Sequence, residues 1–149
     1  MPGVLFDTNV WLAAFFPSHP SHAAAQNALE AATSSSPAIF CRSTQQSVLR
    51  LMSTPAVLRT YNAAPLTNRD AFAALDALQA LRQVRVSSEP PGVFEQWRRL
   101  ASLDTASPKV WMDAYLAAFA MAGALRFATF DSGFRSFVPR GLSLELMQS

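Results

Sequence analysis

Short apolar runs alternate with longer amphipathic segments along the chain. The short runs predict strands at 4–6, 38–41, 84–86, 126–130 and 142–146, the last of them an edge strand. Helical periodicity and helix-ending residues predict helices at 10–16, from about 19 or 21 to 32, at 43–52, 68–81, 94–103 and 108–122. Short buried strands that alternate with helices are typical of a parallel sheet covered on both faces. The pattern therefore predicts the α/β class, with a central, mainly parallel sheet.

The last predicted helix has the clearest start signal in the chain. Ser107 is a candidate N-cap, Pro108 suits the first helical position, and Gly123 follows the final alanine-rich turn. Asn68 is a candidate cap of the fourth predicted helix, and Pro55 is expected to end the third. These residues set the predicted limits of the helices.

Length and composition indicate a single domain over residues 1–149. Half of the residues are hydrophobic, and neither an internal repeat nor a low-complexity linker interrupts the chain. The single cysteine, Cys41, excludes an internal disulfide framework and favours a reducing compartment. The longest apolar stretch, 114–125, is shorter than the roughly 20 residues that a membrane-spanning helix needs. We therefore expect a cytoplasmic protein with no membrane partner.

The basic residues are almost all arginine. Of the twelve, only Lys109 is lysine, and the formal net charge is +2. Arginine binds phosphates through two parallel hydrogen bonds and stacks on bases, so this composition is compatible with an RNA substrate. A GC-rich genome would produce the same bias, and composition alone leaves both explanations open.

Three aspartates are placed to share one crevice. Asp7 follows the first predicted strand, Asp131 follows the strand at 126–130, and Asp113 lies in the second turn of the last predicted helix. In a parallel sheet, ligands bind beyond the carboxyl ends of the strands. Converging carboxylates repel one another unless a cation lies between them, and oxygen ligands suit Mg²⁺ or Mn²⁺. A cation held there can activate a water for attack on a phosphodiester.

Each aspartate also has a purely structural interpretation. An Asp that follows a strand often caps a helix or forms an Asx-turn, and the sequence Asp131-Ser132-Gly133 is ordinary turn chemistry. An acid near a helix N-terminus, such as Asp113, also interacts favourably with the helix dipole. Three acids at one edge of a parallel sheet nevertheless favour a metal site over three unrelated caps.

Three segments resemble the signature segments of PIN-domain nucleases. They are 5–12 (LFDTNVWL), 111–120 (WMDAYLAAFA) and 128–134 (ATFDSGF), in the order and at the spacing of that family. The stretch 44–55 (TQQSVLRLMSTP) and the chain length are further similar to VapC-type toxins of bacterial toxin–antitoxin pairs. The resemblance extends over nearly the whole chain.

The resemblance implies a three-layer α/β/α fold and an endoribonuclease that depends on Mg²⁺ or Mn²⁺. It implies RNA as the substrate and a small antitoxin protein as the inhibitory partner, and it leaves a homodimer open. Asp7, Asp113 and Asp131 match the catalytic, metal-holding acids of the family, and Asn9 matches a polar residue that helps to fix the first acid.

One position departs from the family pattern. PIN-domain nucleases usually carry a further acid, most often Glu, at the start of the helix after the second strand. No Asp or Glu occurs here from residue 31 through 69, and the matching position is either Gln46 or Ser47. A neutral side chain at that position makes an RNA-binding module with impaired catalysis the first alternative function.

A phosphotransferase with Asp7 as nucleophile is the second alternative. Such enzymes usually have another aspartate two positions after the nucleophile, where this chain has Asn9. They also need a lysine near the phosphoryl group, and only Lys109 is available. Both features count against this alternative.

Overall fold

The computed structural model describes residues 3–148, which contain a five-stranded sheet. All of its pairings are parallel, and the strand order is β3-β2-β1-β4-β5. The strands are β1 (Val4–Phe6), β2 (Ala38–Phe40), β3 (Val84–Val86), β4 (Arg126–Thr129) and β5 (Leu144–Leu146). The predicted α/β class with a central parallel sheet is confirmed.

Helices cover both faces of this sheet. They are α1 (Thr8–Phe15), α2 (His22–Ala31), α3 (Arg42–Met52), α4 (Pro55–Thr60), α5 (Asn68–Gln79), α6 (Val93–Ala101) and α7 (Val110–Ala122), followed by a 3₁₀ helix (Ser132–Arg140). Between residues 3 and 148, no helix is long and apolar enough to cross a membrane.

Two helix starts differ from the sequence prediction. α7 begins at Val110 with Lys109 as its N-cap, because the backbone N–H of Val110 closes a turn onto the carbonyl of Ser107 before regular helix begins. In α5 the cap is Thr67, one residue before the predicted cap Asn68. The hydroxyl of Thr67 and the carboxylate of Asp70 accept each other's backbone N–H at 3.1 and 2.9 Å, which forms a capping box.

Two segments were not expected to be helical. Pro55 was predicted only to end the preceding helix, but it also occupies the first turn of α4. Proline suits that position because the N–H it lacks has no partner within the helix. The 3₁₀ helix follows β4 where only a turn was expected, and a left-handed Gly141 with φ of 119° ends it. Both segments are short or interrupted by proline, so periodicity did not reveal them.

The two faces of the sheet support separate cores. Successive strand residues point to opposite faces, so Phe6 packs with α1, α2, α3 and α5, whereas Leu5 packs with α6 and α7. On the first face, the buried Trp11 ring stacks on Phe40 at 3.8 Å. On the second face, Phe127 packs against Phe134 at 4.6 Å. Burial on both faces fixes the ends of β1 and β4, from which the site is built.

Candidate functional site

Asp7 is held at the carboxyl end of β1 by contacts on both sides. Its backbone N–H donates to the carbonyl of Ala128 at 2.9 Å, which continues the β1–β4 pairing. As the N-cap of α1, its Oδ1 accepts the backbone N–H of Thr8 at 2.8 Å. Its Oδ2 accepts the hydroxyl of Thr129 at 2.7 Å. Both oxygens are therefore oriented, and each keeps a lone pair for another ligand.

Thr129 connects the first and last aspartates. This fully buried residue ends β4, and its hydroxyl donates to Asp7. The same oxygen accepts the backbone N–H of Asp131 at 3.0 Å and the side-chain amide of Asn9 at 3.2 Å. One donated and two accepted bonds use the full capacity of a hydroxyl. Thr129 was not singled out from the sequence.

Asn9 reaches Asp7 only through this hydroxyl. Its Nδ2 donates to Thr129, and its Oδ1 accepts the backbone N–H of Phe130 at 3.3 Å. The side chain therefore ties the start of α1 to the end of β4. The resemblance implied that Asn9 helps to fix Asp7. In the structure it does so indirectly, through the hydroxyl of Thr129.

The other two aspartates differ in how firmly they are held. Asp131 caps the 3₁₀ helix, and its Oδ1 accepts the backbone N–H of Gly133 at 2.8 Å. The turn interpretation of Asp131 is thus correct, yet Oδ2 makes no hydrogen bond within residues 3–148. Asp113 lies in the first turn of α7 instead of the second, because the helix begins later than predicted. Its half-buried carboxylate accepts no hydrogen bond from any described residue.

The three carboxylates repel one another. Burial is the main cause that raises the pKa of Asp7 above 3.8; hydrogen bonds from Thr129 and Thr8 oppose the shift, and the charges of Asp113 and Asp131 add to it. Burial and then the charge of Asp131 raise the pKa of Asp113. Within residues 3–148 the one ion pair joins Arg126 to Glu145, so no basic side chain pairs with these acids. The structure brings the three predicted residues into one electrostatic cluster.

These carboxylates fit a hard cation that keeps some of its waters better than a cation held by protein ligands alone. Considering the described part of the chain only, no three His, Cys, Asp or Glu side chains converge closely enough to form a metal-binding group by themselves. Mg²⁺ usually binds one or two carboxylates and keeps several waters, so it does not require such a closed group. Oriented carboxylate oxygens, with no neutralising side chain among residues 3–148, are compatible with that mode of binding.

The raised pKa values of Asp7 and Asp113, which burial causes more than repulsion does, predict a pH dependence of stability. Because the folded-state pKa values of Asp7 and Asp113 are raised, these two groups bind more protons in the native protein than in the unfolded chain at pH values above 3.8. Their contribution to the free energy of unfolding should therefore fall as pH rises through that window. Urea unfolding in EDTA from about pH 4 to 7 should show a weaker decline for Asp113→Asn than for the parent. Asp76→Asn, on the exposed side of α5, is the control; equal slopes for all three proteins would contradict the repulsion.

A polar crevice lies next to the carboxyl ends of β2 and β3. It has a volume of about 310 Å³, and Gln45 and Tyr115 are among its lining residues. Gln45 is buried; its Nε2 donates to Gln79 at 2.6 Å, and its Oε1 accepts from Arg42 at 2.8 Å. The tyrosine hydroxyl donates to Glu89 at 2.6 Å. Nothing in the sequence pattern had marked Gln45.

The two candidate positions for the missing acid are in different environments. Gln46 is exposed on α3, and Ser47 is half-buried. α3 packs against both α1 and α5, and Gln45 contacts the α5 side through Gln79. Ser47 lies about 200° around the helix from Gln45, which directs it to the α1 side. Asp7 is the N-cap of α1, so Ser47 is the better placed of the two.

Residues 4–138 match the family model described as PIN domain. The chain belongs to the PIN domain family. The matched range includes all three aspartates as well as Thr129, so the whole site lies within the PIN domain. The family resemblance drawn from the three sequence segments is confirmed.

Curated relatives are similar over nearly the full length of this PIN domain. The chain is 43% identical over 145 residues to Ribonuclease VapC41 of Mycobacterium tuberculosis, from two strains. The match covers 97% of this chain and 98% of the relative.

Solved structures share the fold. VapBC2 from Rickettsia felis, bound to a DNA fragment from its promoter, matches with a TM-score of 0.67 at 15% identity, over 99% of this chain and 100% of that one. VapC20 of Mycobacterium tuberculosis, a Sarcin-Ricin loop cleaving toxin, matches with 0.61 at 19% identity, over 94% and 96%. A toxin–antitoxin complex from Klebsiella pneumoniae matches with 0.59 at 18% identity, over 96% of both chains. These likenesses confirm the three-layer α/β/α PIN fold.

Proposed function

We propose that this PIN domain is a metal-dependent endoribonuclease and the toxin of a toxin–antitoxin pair. The observation that carries the proposal is the cluster of Asp7, Asp113 and Asp131, which repel one another and have no basic partner among the described residues. The near-full-length similarity to Ribonuclease VapC41 supports RNA as the substrate. Chains from two solved toxin–antitoxin complexes have the same fold as this chain, which supports the proposed toxin role.

The three aspartates would hold Mg²⁺ or Mn²⁺, and each would contribute differently. When bound, such a cation polarises a phosphodiester and lowers the pKa of a water. Asp7 is pre-oriented by Thr8 and Thr129, so its free lone pairs have a fixed direction. Asp131 has one oxygen in its cap and the other available. Asp113 has no hydrogen bond to a described residue and can turn towards a ligand.

Thr129 favours the ionised form of Asp7, which is the form that binds a cation. Its hydroxyl proton points at Oδ2 of Asp7, and both of its lone pairs are taken by Asn9 and Asp131. A hydrogen bond donated to a carboxylate favours the charged form. The same bond fixes the rotamer of Asp7, so substrate binding does not have to order it.

Thr129→Val should therefore lower RNA cleavage by about 10- to 100-fold, the range usual for loss of a group that orients a metal ligand. Valine has nearly the shape of threonine but no hydroxyl, so Asp7 loses its donor and the amides of Asn9 and Asp131 lose their acceptor. Thr129→Ser restores the hydroxyl and should stay close to the parent. Cleavage rates and Mn²⁺ titration calorimetry should change together; a valine variant that binds Mn²⁺ like the parent would contradict this role.

Ser47→Glu should tighten Mn²⁺ binding, because ligand charge increases the affinity for hard divalent cations. The exposed Gln46→Glu adds the same charge on the same helix and should leave the affinity unchanged. The Ser47 variant should also be less stable without metal, since a fourth acid joins like charges. Calorimetric titration of both variants is the measurement. Tighter binding in the Gln46 variant alone, or in neither, would contradict the assigned orientation of α3.

The absence of an acid on α3 favours one second candidate function, an RNA-binding module with impaired catalysis. Incubating the purified protein with RNA and Mn²⁺, and in parallel with a phosphomonoester, separates the candidates. Internal cleavage of RNA alone supports the nuclease. RNA binding without cleavage supports the impaired module, and hydrolysis of the monoester alone supports a phosphotransferase.

The toxin role has its own test, in which the chain is expressed in a bacterial host. Growth arrest is expected, and co-expression of a small protein encoded beside it should relieve the arrest. Asp113→Asn should not arrest growth although it accumulates to the same level. Arrest by that variant would show that toxicity is independent of the proposed site.

A further inference from the structure

Aromatic rings form an open pocket between α6 and the start of α7. This aromatic pocket has a volume of about 320 Å³, and it is lined by Phe94, Trp97, Arg98, Ala101, Ser102 and Trp111. The Phe94 and Trp111 side chains are 53% and 55% exposed, although large aromatic groups usually become buried. None of these residues belongs to the aspartate site.

The rings are held in place by neighbouring groups. The indole N–H of Trp97 donates to the backbone carbonyl of Trp111 at 2.8 Å. The ring of Trp97 meets Phe94 and Trp111 edge to face, with centroids 6.0 and 6.4 Å apart. The faces of Phe94 and Trp111 therefore do not stack on the central ring. Aromatic faces that are both fixed and exposed can accept a flat ligand at a low cost in conformational entropy.

The charged side chain that lines the aromatic pocket is an arginine. The guanidinium of Arg98 lies 4.9 Å from the centroid of the Phe94 ring. Arg99 and Arg140 each donate to the other's backbone carbonyl at 3.0 Å, which brings a third arginine to this surface. The basic residues on the surrounding segments are Arg98, Arg99, Lys109 and Arg140, and the acidic ones are Glu89, Glu95, Asp104 and Asp113. Of these, Arg98 alone lines the aromatic pocket, and an arginine beside aromatic faces complements a polyanion with flat bases.

The aromatic pocket lies within reach of a strand that occupies the aspartate site. Trp111 precedes Asp113 by two residues, so their side chains leave α7 about 200° apart. They lie on opposite sides of the helix, whose diameter with side chains is about 10 Å, so a strand that contacts both must follow a path of about 16 Å around it. A few nucleotides of single-stranded RNA can cover that path.

We propose that the aromatic pocket binds an unstacked base of single-stranded RNA, within a few nucleotides of the cleaved phosphodiester. Bases that are splayed out of a strand are commonly held by aromatic rings and arginine planes. Trp111 supplies the main stacking face, and Arg98, whose guanidinium lies over the Phe94 ring, supplies the charge that faces the backbone phosphates. The inference rests on the proposed nuclease function for its substrate, and it adds the subsite that anchors that substrate.

The test measures RNA binding separately from cleavage. Fluorescein-labelled eight-nucleotide single-stranded RNAs are titrated in EDTA by fluorescence anisotropy, and gels confirm that the RNA stays intact. Trp111→Leu should weaken binding by about tenfold or more, as expected for loss of a stacking partner. Trp111→Phe retains a ring and should recover most of the affinity. Phe72→Leu, at a 57% exposed aromatic on α5, is the matched control and should bind like the parent.

A second measurement locates the contact. Titration with unlabelled RNA should quench the tryptophan fluorescence of the parent, and Trp111→Leu should lose most of the quenching. An RNA without bases should bind parent and variant equally. Equal affinity of Trp111→Leu, Phe72→Leu and the parent would overturn the proposal. So would a Trp111→Leu variant that binds RNA normally but changes the oligomeric mass or loses a protein partner.

The two proposals can fail independently. If Mn²⁺-dependent cleavage is present but no variant of the aromatic pocket changes affinity, the nuclease stands and the subsite is wrong. If base-dependent binding through Trp111 is present but no cleavage occurs, the subsite stands and the nuclease function is wrong.

Discussion

Asp113→Asn should reduce RNA cleavage by more than about 100-fold and raise the stability of the metal-free protein. Groups that merely orient a metal ligand contribute about 10- to 100-fold, so a ligand itself should contribute more. Asparagine keeps the shape of the side chain and removes its charge. Because burial and Asp131 both disfavour that charge in the fold, its removal should stabilise the protein. Asp113 makes no hydrogen bond within residues 3–148, so no bond to the described chain is lost.

Asp76→Asn is the matched control for this substitution. Asp76 is an exposed residue of α5, and its replacement should change neither cleavage nor unfolding appreciably. Initial rates on a defined RNA and thermal unfolding in EDTA are the two measurements. Cleavage by Asp113→Asn at the parent rate would exclude Asp113 from the site. A loss of cleavage together with a lower melting temperature would point to disrupted folding instead.

Removal of divalent cations should abolish cleavage by the parent protein. The described residues around Asp7, Asp113 and Asp131 include no basic partner for these acids, so negative charge on a phosphodiester would be repelled without a cation. EDTA should stop the reaction, and Mn²⁺ or Mg²⁺ in excess should restore it. The same ions should raise the melting temperature, because a ligand that binds only the native state stabilises it.

Two comparisons make the chelation experiment specific. Ca²⁺ in excess shows whether any divalent charge suffices or whether the smaller cations are required. The Asp113→Asn variant should gain less thermal stability from Mn²⁺ than the parent gains. If the protein keeps full activity in EDTA, in a reaction verified to contain no free divalent metal, the metal-dependent mechanism is ruled out.

The carboxyl ends of β1 and β4 could be predicted from the sequence because polar residues follow short buried runs there. The apolar run 4–6 ends at Asp7, and the mostly apolar run 127–130 ends at Asp131. In a parallel sheet such positions lie at one edge, which was enough to bring the two acids together. The pairing of Phe6 with Ala128 places the ends of β1 and β4 side by side.

Thr129 could not be predicted in the same way, because its role depends on contacts across the fold. A threonine at the end of a strand is ordinary, and its hydroxyl bonds Asp7, a residue 122 positions away. The burial of Gln45 likewise depends on how α3 packs against α5. The local pattern of apolar residues shows which face of a helix or strand is buried, but not which other element packs against that face. For the same reason, the sequence predicted that Trp111 lies in a helix but did not predict that its exposed ring lies beside aromatic residues of α6.

The proposal that Asp7, Asp113 and Asp131 share one divalent cation can be tested by calorimetric titration with Mn²⁺. The parent should bind one Mn²⁺ per chain, Asp76→Asn should match it, and Asp7→Asn, Asp113→Asn and Asp131→Asn should each bind much more weakly. If the parent binds no Mn²⁺, with or without RNA, or if the three site variants bind it as tightly as the parent, the claim is contradicted.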